Sequence, residues 1–269
     1  SSAATRLSAS PPERQAARCS GIGAMGNACT EGIAGAKPKG NITLKYFPIA
    51  GRAEPIRLAL KIAQLEFYDQ RIVGDEWETR HKKSTPYGQL PVLVVGQKTI
   101  AQSKAILRFV GKAAKHEGRL LYPRDPFLAA RVDEMVDLFD DLSILIAPTF
   151  RIKDKEQKEQ ARNELFQQPS GQATHFLDIF ERALAESSNG FVVPEAGLTI
   201  ADLMYFTQLN FMRSGFFEGL KTDIFKDYPN IMKHKEMIAG IPIIKAYYKD
   251  TEKSNPHKSA VYEVFQPGK

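Results

Sequence analysis

Cysteine is almost missing from this chain. Its 269 residues hold two, Cys19 and Cys29, and both precede residue 41. Beyond that point no thiol exists, which excludes a core disulfide, a Cys-x-x-Cys redox centre, a cysteine-ligated metal and a cysteine nucleophile there. Tryptophan is reduced to one residue, Trp77. No apolar run approaches the roughly 18–20 residues a membrane-spanning helix needs. One-sided charge is scarce too. The formal charge is +6, but residues 1–40 carry five Lys/Arg against two Glu, so half of the excess sits in that segment. Downstream, acids and bases interleave without the basic stripe that binds nucleic acid, so nucleic acid is not an expected partner. The five histidines, His81, His116, His175, His234 and His257, show no metal-ligand spacing.

What is present divides the chain. Residues 1–40 are rich in Ala, Ser and Gly and lack periodicity, and are expected to form a disordered N-terminal extension. From Asn41 the pattern becomes regular. Asn41–Phe47 reads as a strand, Pro48–Gly51 as a turn, and Arg52–Leu65 as a helix with Pro55 in its first turn. Phe67–Val73 is a second predicted strand, with a short helix near Glu76–Lys82. Pro91–Val95 and Lys98–Ala101 flank Gly96-Gln97, a hairpin signal, and Gln102–His116 is an apolar-periodic helix. This βαβ then ββα order predicts a small mixed sheet covered by helices, a thioredoxin-like domain over residues 41–117. Residues 118–126, with glycine, two prolines and charge, read as a linker. Thereafter only helices are predicted, over Leu128–Phe150, Asp154–Gln167, Thr174–Ala185, Thr199 to Arg213, Tyr228–Ala239 and Pro242–Lys249. Thr199 and Asp202 form a capping box, so Asp202 is read as a folding element. The fold class is α/β plus all-α, a thioredoxin-like N-terminal domain followed by an all-helical C-terminal domain over residues 127–269.

The motifs sharpen this. Tyr46-Phe47-Pro48-Ile49-Ala50-Gly51-Arg52-Ala53-Glu54-Pro55-Ile56-Arg57 closely resembles the first strand and helix of sigma-class glutathione transferases. Gln89-Leu90-Pro91-Val92-Leu93 resembles that family's turn with a cis-proline. Gln102-Ser103-Lys104-Ala105-Ile106 resembles its anion-binding loop, and Val136-Asp137-Leu138-Phe139-Asp140-Asp141 its acidic segment. The matches fall in family order from about Asn41 onward.

The resemblance implies a glutathione transferase that joins the thiolate of glutathione, its cosubstrate, to small hydrophobic electrophiles, with reduction of organic peroxides as a further activity. Free glutathione is mostly a thiol at pH 7, because its pKa is about 8.5 as for free cysteine. Lowering it by two units needs about 2.7 kcal/mol, which one hydrogen bond to the anion and a nearby cation supply. The resemblance makes Tyr46 that donor and Arg52 the supporting cation. It implies that Leu90, beside Pro91, pairs with the cysteinyl unit. Gln102 and Ser103, at a helix start, would hold the γ-glutamyl carboxylate with help from Gln89. Trp77 and Lys82, or its neighbour Lys83, would contact the glycine end. Phe47, Ile49, Gly51 and a wall near Ile144–Phe150 are expected to enclose the electrophile. Where some members that isomerise prostaglandin H use tryptophan, this chain has Pro148, a departure from that activity.

Asp137, Asp140 and Asp141 share one helical face. The resemblance places Asp141 across a homodimer interface, on the partner's glutathione, and makes Asp137 and Asp140 candidates for Mg2+ or Ca2+ through oxygen ligands at the two-fold axis. A cytoplasmic location is implied with them. A non-catalytic lens-crystallin relative is the rival reading, and intact Tyr46, Arg52, Gln89 and Ser103 oppose it. Finally, Met25-Gly26-Asn27-Ala28-Cys29-Thr30 fits an N-myristoylation signature. Were translation to begin at Met25, Gly26 and Cys29 would be expected to carry acyl chains and attach the protein to a membrane.

Overall fold

The structure, a computed structural model, describes residues 37–254 and 260–269. Residues 1–36, including the Met25–Thr30 signature and most of the segment expected to be disordered, lie outside the described residues.

Strand β1, Ile42–Tyr46, alternates strictly, and Ile42, Leu44 and Tyr46 are its buried set. A 3-10 turn at Gly51–Ala53 leads into helix α1, Glu54–Ile62, which carries Pro55 where the missing N–H costs nothing. Every α1 residue except Lys61 is buried, so this helix lies between other layers. Strands β2 (Tyr68–Arg71), β3 (Val92–Val95) and β4 (Lys98–Ala101) complete a sheet of order β2-β1-β3-β4. β1 pairs parallel with β2, the two joined by a crossover through α1. It pairs antiparallel with β3, and β3 with β4. Helix α2, Ser103–Gly111, packs against α1. This is the thioredoxin-like half.

Two local differences from the sequence reading have clear causes. The segment near residues 76–84 forms a π-helical turn, Trp77–His81, followed by a 3-10 turn, Lys82–Ser84. It buries no residue, so packing does not impose a regular helix. Helix α2 also ends earlier than the periodicity predicts. Glu117 and Gly118 both take positive φ, +49° and +79°, and close a tiny hairpin of β5 (Lys115–His116) and β6 (Arg119–Leu120). Two successive positive φ values are the signature of the tight hairpin turn that matches strand twist.

The rest is helical: α3 (Pro126–Ile146), α4 (Lys155–Leu165), α5 (Gln172–Glu186), α6 (Ile200–Met212), α7 (Pro229–Gly240) and α8 (Pro242–Ser254). Asp125 and Asp154 cap α3 and α4 by accepting the N–H of Leu128 and Gln157. Short 3-10 segments, Ala147–Arg151 and Ala260–Phe265, add to them; the second was not legible in the sequence. Among the described residues no helix is long and apolar enough to cross a membrane. α6 is the hub, touching α1, α2, α3 and α7, and Gln208 is its one residue not buried.

The start of α6 is held as its capping box predicts. Asp202 accepts the Thr199 N–H at 2.8 Å and its hydroxyl at 3.0 Å, while its other oxygen takes the Val192 N–H at 2.8 Å. The buried His234 ring nitrogen lies 3.1 Å from that same oxygen. Replacing Asp202 with Ala strands all these buried groups, and removal of one partner from a buried polar network costs about 3–5 kcal/mol. The expected outcome for Asp202→Ala is a loss of that size in the unfolding free energy measured by urea titration, and a loss under about 1 kcal/mol would show the network to be incidental.

Candidate active site

Tyr46 ends β1, and its ring is buried while its hydroxyl reaches the 49–52 loop. The hydroxyl oxygen accepts the Arg52 backbone N–H at 3.1 Å. That bond uses an acceptor lone pair, so the O–H proton stays available for a further acceptor. Burial raises the Tyr46 pKa above the ordinary phenol value, outweighing the lowering by the Arg52 N–H and the charges of Arg57 and Arg52. Tyr46 is therefore a proton-bearing donor at neutral pH.

The 49–52 loop is positioned from behind by Arg57, which is fully buried on α1. Its guanidinium donates to the Ile49 carbonyl at 2.9 Å, the Ala50 carbonyl at 3.3 Å and Glu54 at 2.9 Å. Its Nε reaches Asp69 of β2 at 3.1 Å, and its charge lies 5.8 Å from the Tyr46 ring centre. Burial opposes this charge, but Glu54 and Asp69 hold the pKa well above the usual arginine value. Gly51 completes the loop with a φ of +42°. A Cβ there would sit 2.7 Å from the Tyr46 hydroxyl, so both backbone and contact require glycine.

Tyr46, Phe47, Ile49, Gly51 and Arg52 line one side of a cavity of about 350 Å3. The opposite wall is Ser143, Ile146, Ala147 and Phe150 with Gln208, Phe211, Met212, Phe216 and Phe217. The sequence-predicted wall is thus only partly right. Ile144 is 61% exposed on another face of α3, and Pro148 is exposed outside the lining. The contribution from Phe211 to Phe217 was missed, although Phe211-Met212 and Phe216-Phe217 around Ser214-Gly215 are an aromatic signal in the sequence. Gln208 was missed as well. Its amide donates to the Gly51 carbonyl at 2.8 Å, tying α6 to the glycine loop, and it is the one residue of that helix that is not buried.

A small cleft adjoins this cavity and shares Arg52, Ser143 and Gln208 with it. Ser103, the first residue of α2, lines the cleft together with Lys104 and Asp140. Gln102 precedes it at φ +70°, an uncommon conformation for a residue with a side chain. Its amide lies 3.4 Å from the Gln89 side-chain oxygen, which brings two predicted anchors together. The Leu90–Pro91 peptide is cis, and Pro91 directly precedes β3. Trp77 packs edge-on against Phe47 with ring centres 5.8 Å apart, and Phe47 lies 5.5 Å from Tyr46. Lys82 is exposed and paired with Glu78 at 3.1 Å.

The acidic face requires a correction. Among the described residues no group of three His, Cys, Asp or Glu side chains is placed to hold a metal ion. Asp137 and Asp140 instead accept from Lys104 of α2, at 2.8 and 3.1 Å, and Asp137 also from Arg108 at 3.3 Å. Burial alone would lower the Lys104 pKa, but its hydrogen bonds to the two carboxylates leave it raised, while Asp137 is held below its ordinary value. The cation beside Asp137 and Asp140 is the protein's own lysine. Asp141 is exposed and faces a different cleft, with Ile144, His175 and Phe176.

Comparison with known proteins fits this geometry. Residues 42–112 match the model of the glutathione S-transferase N-terminal domain, and residues 140–251 that of the glutathione S-transferase C-terminal domain. A monomeric glutathione S-transferase from the hookworm Necator americanus is 31% identical, covers 78% of this chain and 97% of its own, and superposes with a TM-score of 0.65. The chain belongs to the glutathione S-transferase family. Glutathione S-transferase 1 of Ascaris suum is 29% identical over 78% of this transferase and 97% of its own length. Prostaglandin synthase D of Nilaparvata lugens is 30% identical, with a TM-score of 0.68 and the same two coverages, 78% and 97%.

Gly51→Ala in this transferase is expected to displace the Tyr46 hydroxyl and lower turnover by about 10–100-fold, the loss of roughly 1.4–2.7 kcal/mol of stabilisation. Steady-state rates with glutathione and a model electrophile check it, and an unaltered rate would mean the hydroxyl tolerates displacement.

Proposed function

We propose that the chain conjugates the glutathione thiolate to small hydrophobic electrophiles, with Tyr46 donating its O–H to sulfur and Arg52 adding positive charge beside it. The observation that carries this reading is the Tyr46 hydroxyl itself. It is fixed by the Arg52 N–H, keeps its proton, and opens onto the apolar cavity. In the reaction sulfur forms a bond to an electrophilic carbon, and the leaving group departs with its electron pair. With an activated alkene the pair moves onto carbon and a proton follows from water. Organic peroxides use the same thiolate. Sulfur attacks one peroxide oxygen, an alcohol leaves, and a second glutathione converts the sulfenic product to disulfide and water.

Glutathione is assigned to the polar side of the cleft, its γ-glutamyl carboxylate at Gln102 and Ser103 with Gln89, its cysteinyl unit along Leu90 and Pro91, and its glycine end toward Trp77 and Lys82. The domain division into residues 41–117 and 127–269, joined by 118–126, goes with this assignment. So does sigma class, which the Tyr46–Arg57 motif favours. A cytoplasmic site of action suits a protein dependent on reduced glutathione. The homodimer, with Asp141 completing the partner's glutathione site, is supported by the exposed Asp141 carboxylate and by the exposed rings and side chains of Tyr87 (67%) and Ile144 (61%).

Tyr46→Phe is expected to lower turnover by about 10–100-fold with a smaller change in glutathione affinity. Because burial raises the tyrosine pKa, the ionisation governing kcat/KM near neutrality belongs to the bound thiol. Its inflection should move up by about 1–2 units in the mutant, toward the free value of about 8.5. A wild-type rate and unchanged pH profile would sink the mechanism. Asp141→Ala is expected to raise the glutathione KM in a species that sediments as a dimer. A fully active monomer would refute the shared site.

A further inference from the structure

Arg162 is a charge the reaction does not use. It lies on α4, is 2% exposed, and forms no ion pair among the described residues. Glu218, whose charge acts on it, directs its carboxylate to Lys158 at 2.8 Å. Burial accordingly lowers the Arg162 pKa against the opposing pull of Glu218. A buried guanidinium without a carboxylate needs other compensation, and here two aromatic faces and two hydrogen bonds provide it.

Its carbon centre lies 4.9 Å from the ring centre of Phe150 and 5.5 Å from that of Phe217. Its Nε donates to the Thr149 hydroxyl at 3.1 Å and a terminal nitrogen to the Glu218 carbonyl at 2.8 Å. The guanidinium therefore grips both ring-bearing segments, Thr149-Phe150 after α3 and Phe217-Glu218 after α6, through side chain and backbone together. Gly219 brings the second segment against α4 so closely that a Cβ would stand 2.7 Å from the Glu159 Cα.

Both rings face the cavity above Tyr46, where they join Phe211 and Phe216. The four rings form one connected set: Phe150 and Phe217 are 5.2 Å apart at 65°, Phe211 and Phe217 5.4 Å apart at 77°, and Phe211 and Phe216 stacked at 4.8 Å. Such a wall rewards a flat aromatic guest by edge and offset-stacking contacts that a flexible aliphatic chain does not make. We propose that Arg162 is a positioning residue for substrate choice, clamping Phe150 and Phe217 so that the cavity prefers planar aryl electrophiles to aliphatic ones. This rests on the reading of that cavity as the electrophile site.

The test compares 1-chloro-2,4-dinitrobenzene with trans-2-nonenal, each with glutathione, for the full chain, Arg162→Met, Arg162→Lys and Phe150→Leu. Wild-type conjugation of neither compound would defeat the conjugation reading itself, independently of Arg162. Given wild-type activity, Arg162→Met should raise the aryl KM and lower the aryl-to-alkenal ratio of kcat/KM by about tenfold, equal to about 1.4 kcal/mol. The glutathione KM should stay within about twofold, since no polar anchor touches Arg162. Arg162→Lys, retaining charge without the planar fork, should fall between. Equal losses for both electrophiles, or an unchanged ratio, would overturn the proposal. If Arg162→Met does not fold, Arg162→Lys and Phe150→Leu decide: both must shift the ratio in the same direction, and a constant ratio in either overturns it.

Discussion

A single buried guanidinium, that of Arg57, is the constraint on which this site depends. An unpaired charge in such a place would be prohibitive, so its neighbours are dictated: Glu54 from the same helix, Asp69 from β2, and the carbonyls of residues 49 and 50. Compensating one charge thus joins a helix, a strand and a loop. The loop cannot drift while the charge remains satisfied, and it carries the glycine and the backbone N–H that meet the tyrosine hydroxyl. Placement of a phenol to within hydrogen-bonding distance is derived from electrostatic necessity several ångströms away.

The cleft joins two unlike surfaces. On the sheet side, backbone groups and polar side chains at strand and helix ends suit a peptide with carboxylates. On the helical side the surface is mostly apolar, with four phenylalanines, and comes from the ends of α3 and α6 and the segments that follow them. The sheet side is held by its ladder, whereas the segments after α3 and α6, which carry Phe150, Phe216 and Phe217, are free to vary their lining without disturbing the sheet. Fixed chemistry on one surface and adjustable selection on the other is a division the architecture permits.

Legibility followed the range of the interaction. Strict alternation in β1, the proline early in α1 and the Thr199–Asp202 box act over a few residues, and each was readable. The Tyr46–Arg57 motif was readable because resemblance compresses long-range information into a short string. The fate of Asp137 and Asp140 was not, since Lys104 precedes them by over thirty positions and meets them only when α2 packs beside α3. A short helix near Glu76–Lys82 was readable, but its π and 3-10 form was not, because the segment buries nothing and leaves little hydrophobic pattern. The lining from Phe216 and Phe217 escaped because an aromatic pair in a loop does not announce which cavity it faces.

The bond that orients the Tyr46 hydroxyl comes from the main chain of residue 52, not from the arginine side chain. Every amino acid except proline carries that N–H. Genetic drift at this codon therefore leaves the phenol's anchor in place while the neighbouring charge is free to change sign, size or vanish. Orientation of the hydroxyl and the charge beside it are consequently inherited as separate traits, and a lineage can retune one without first losing the other.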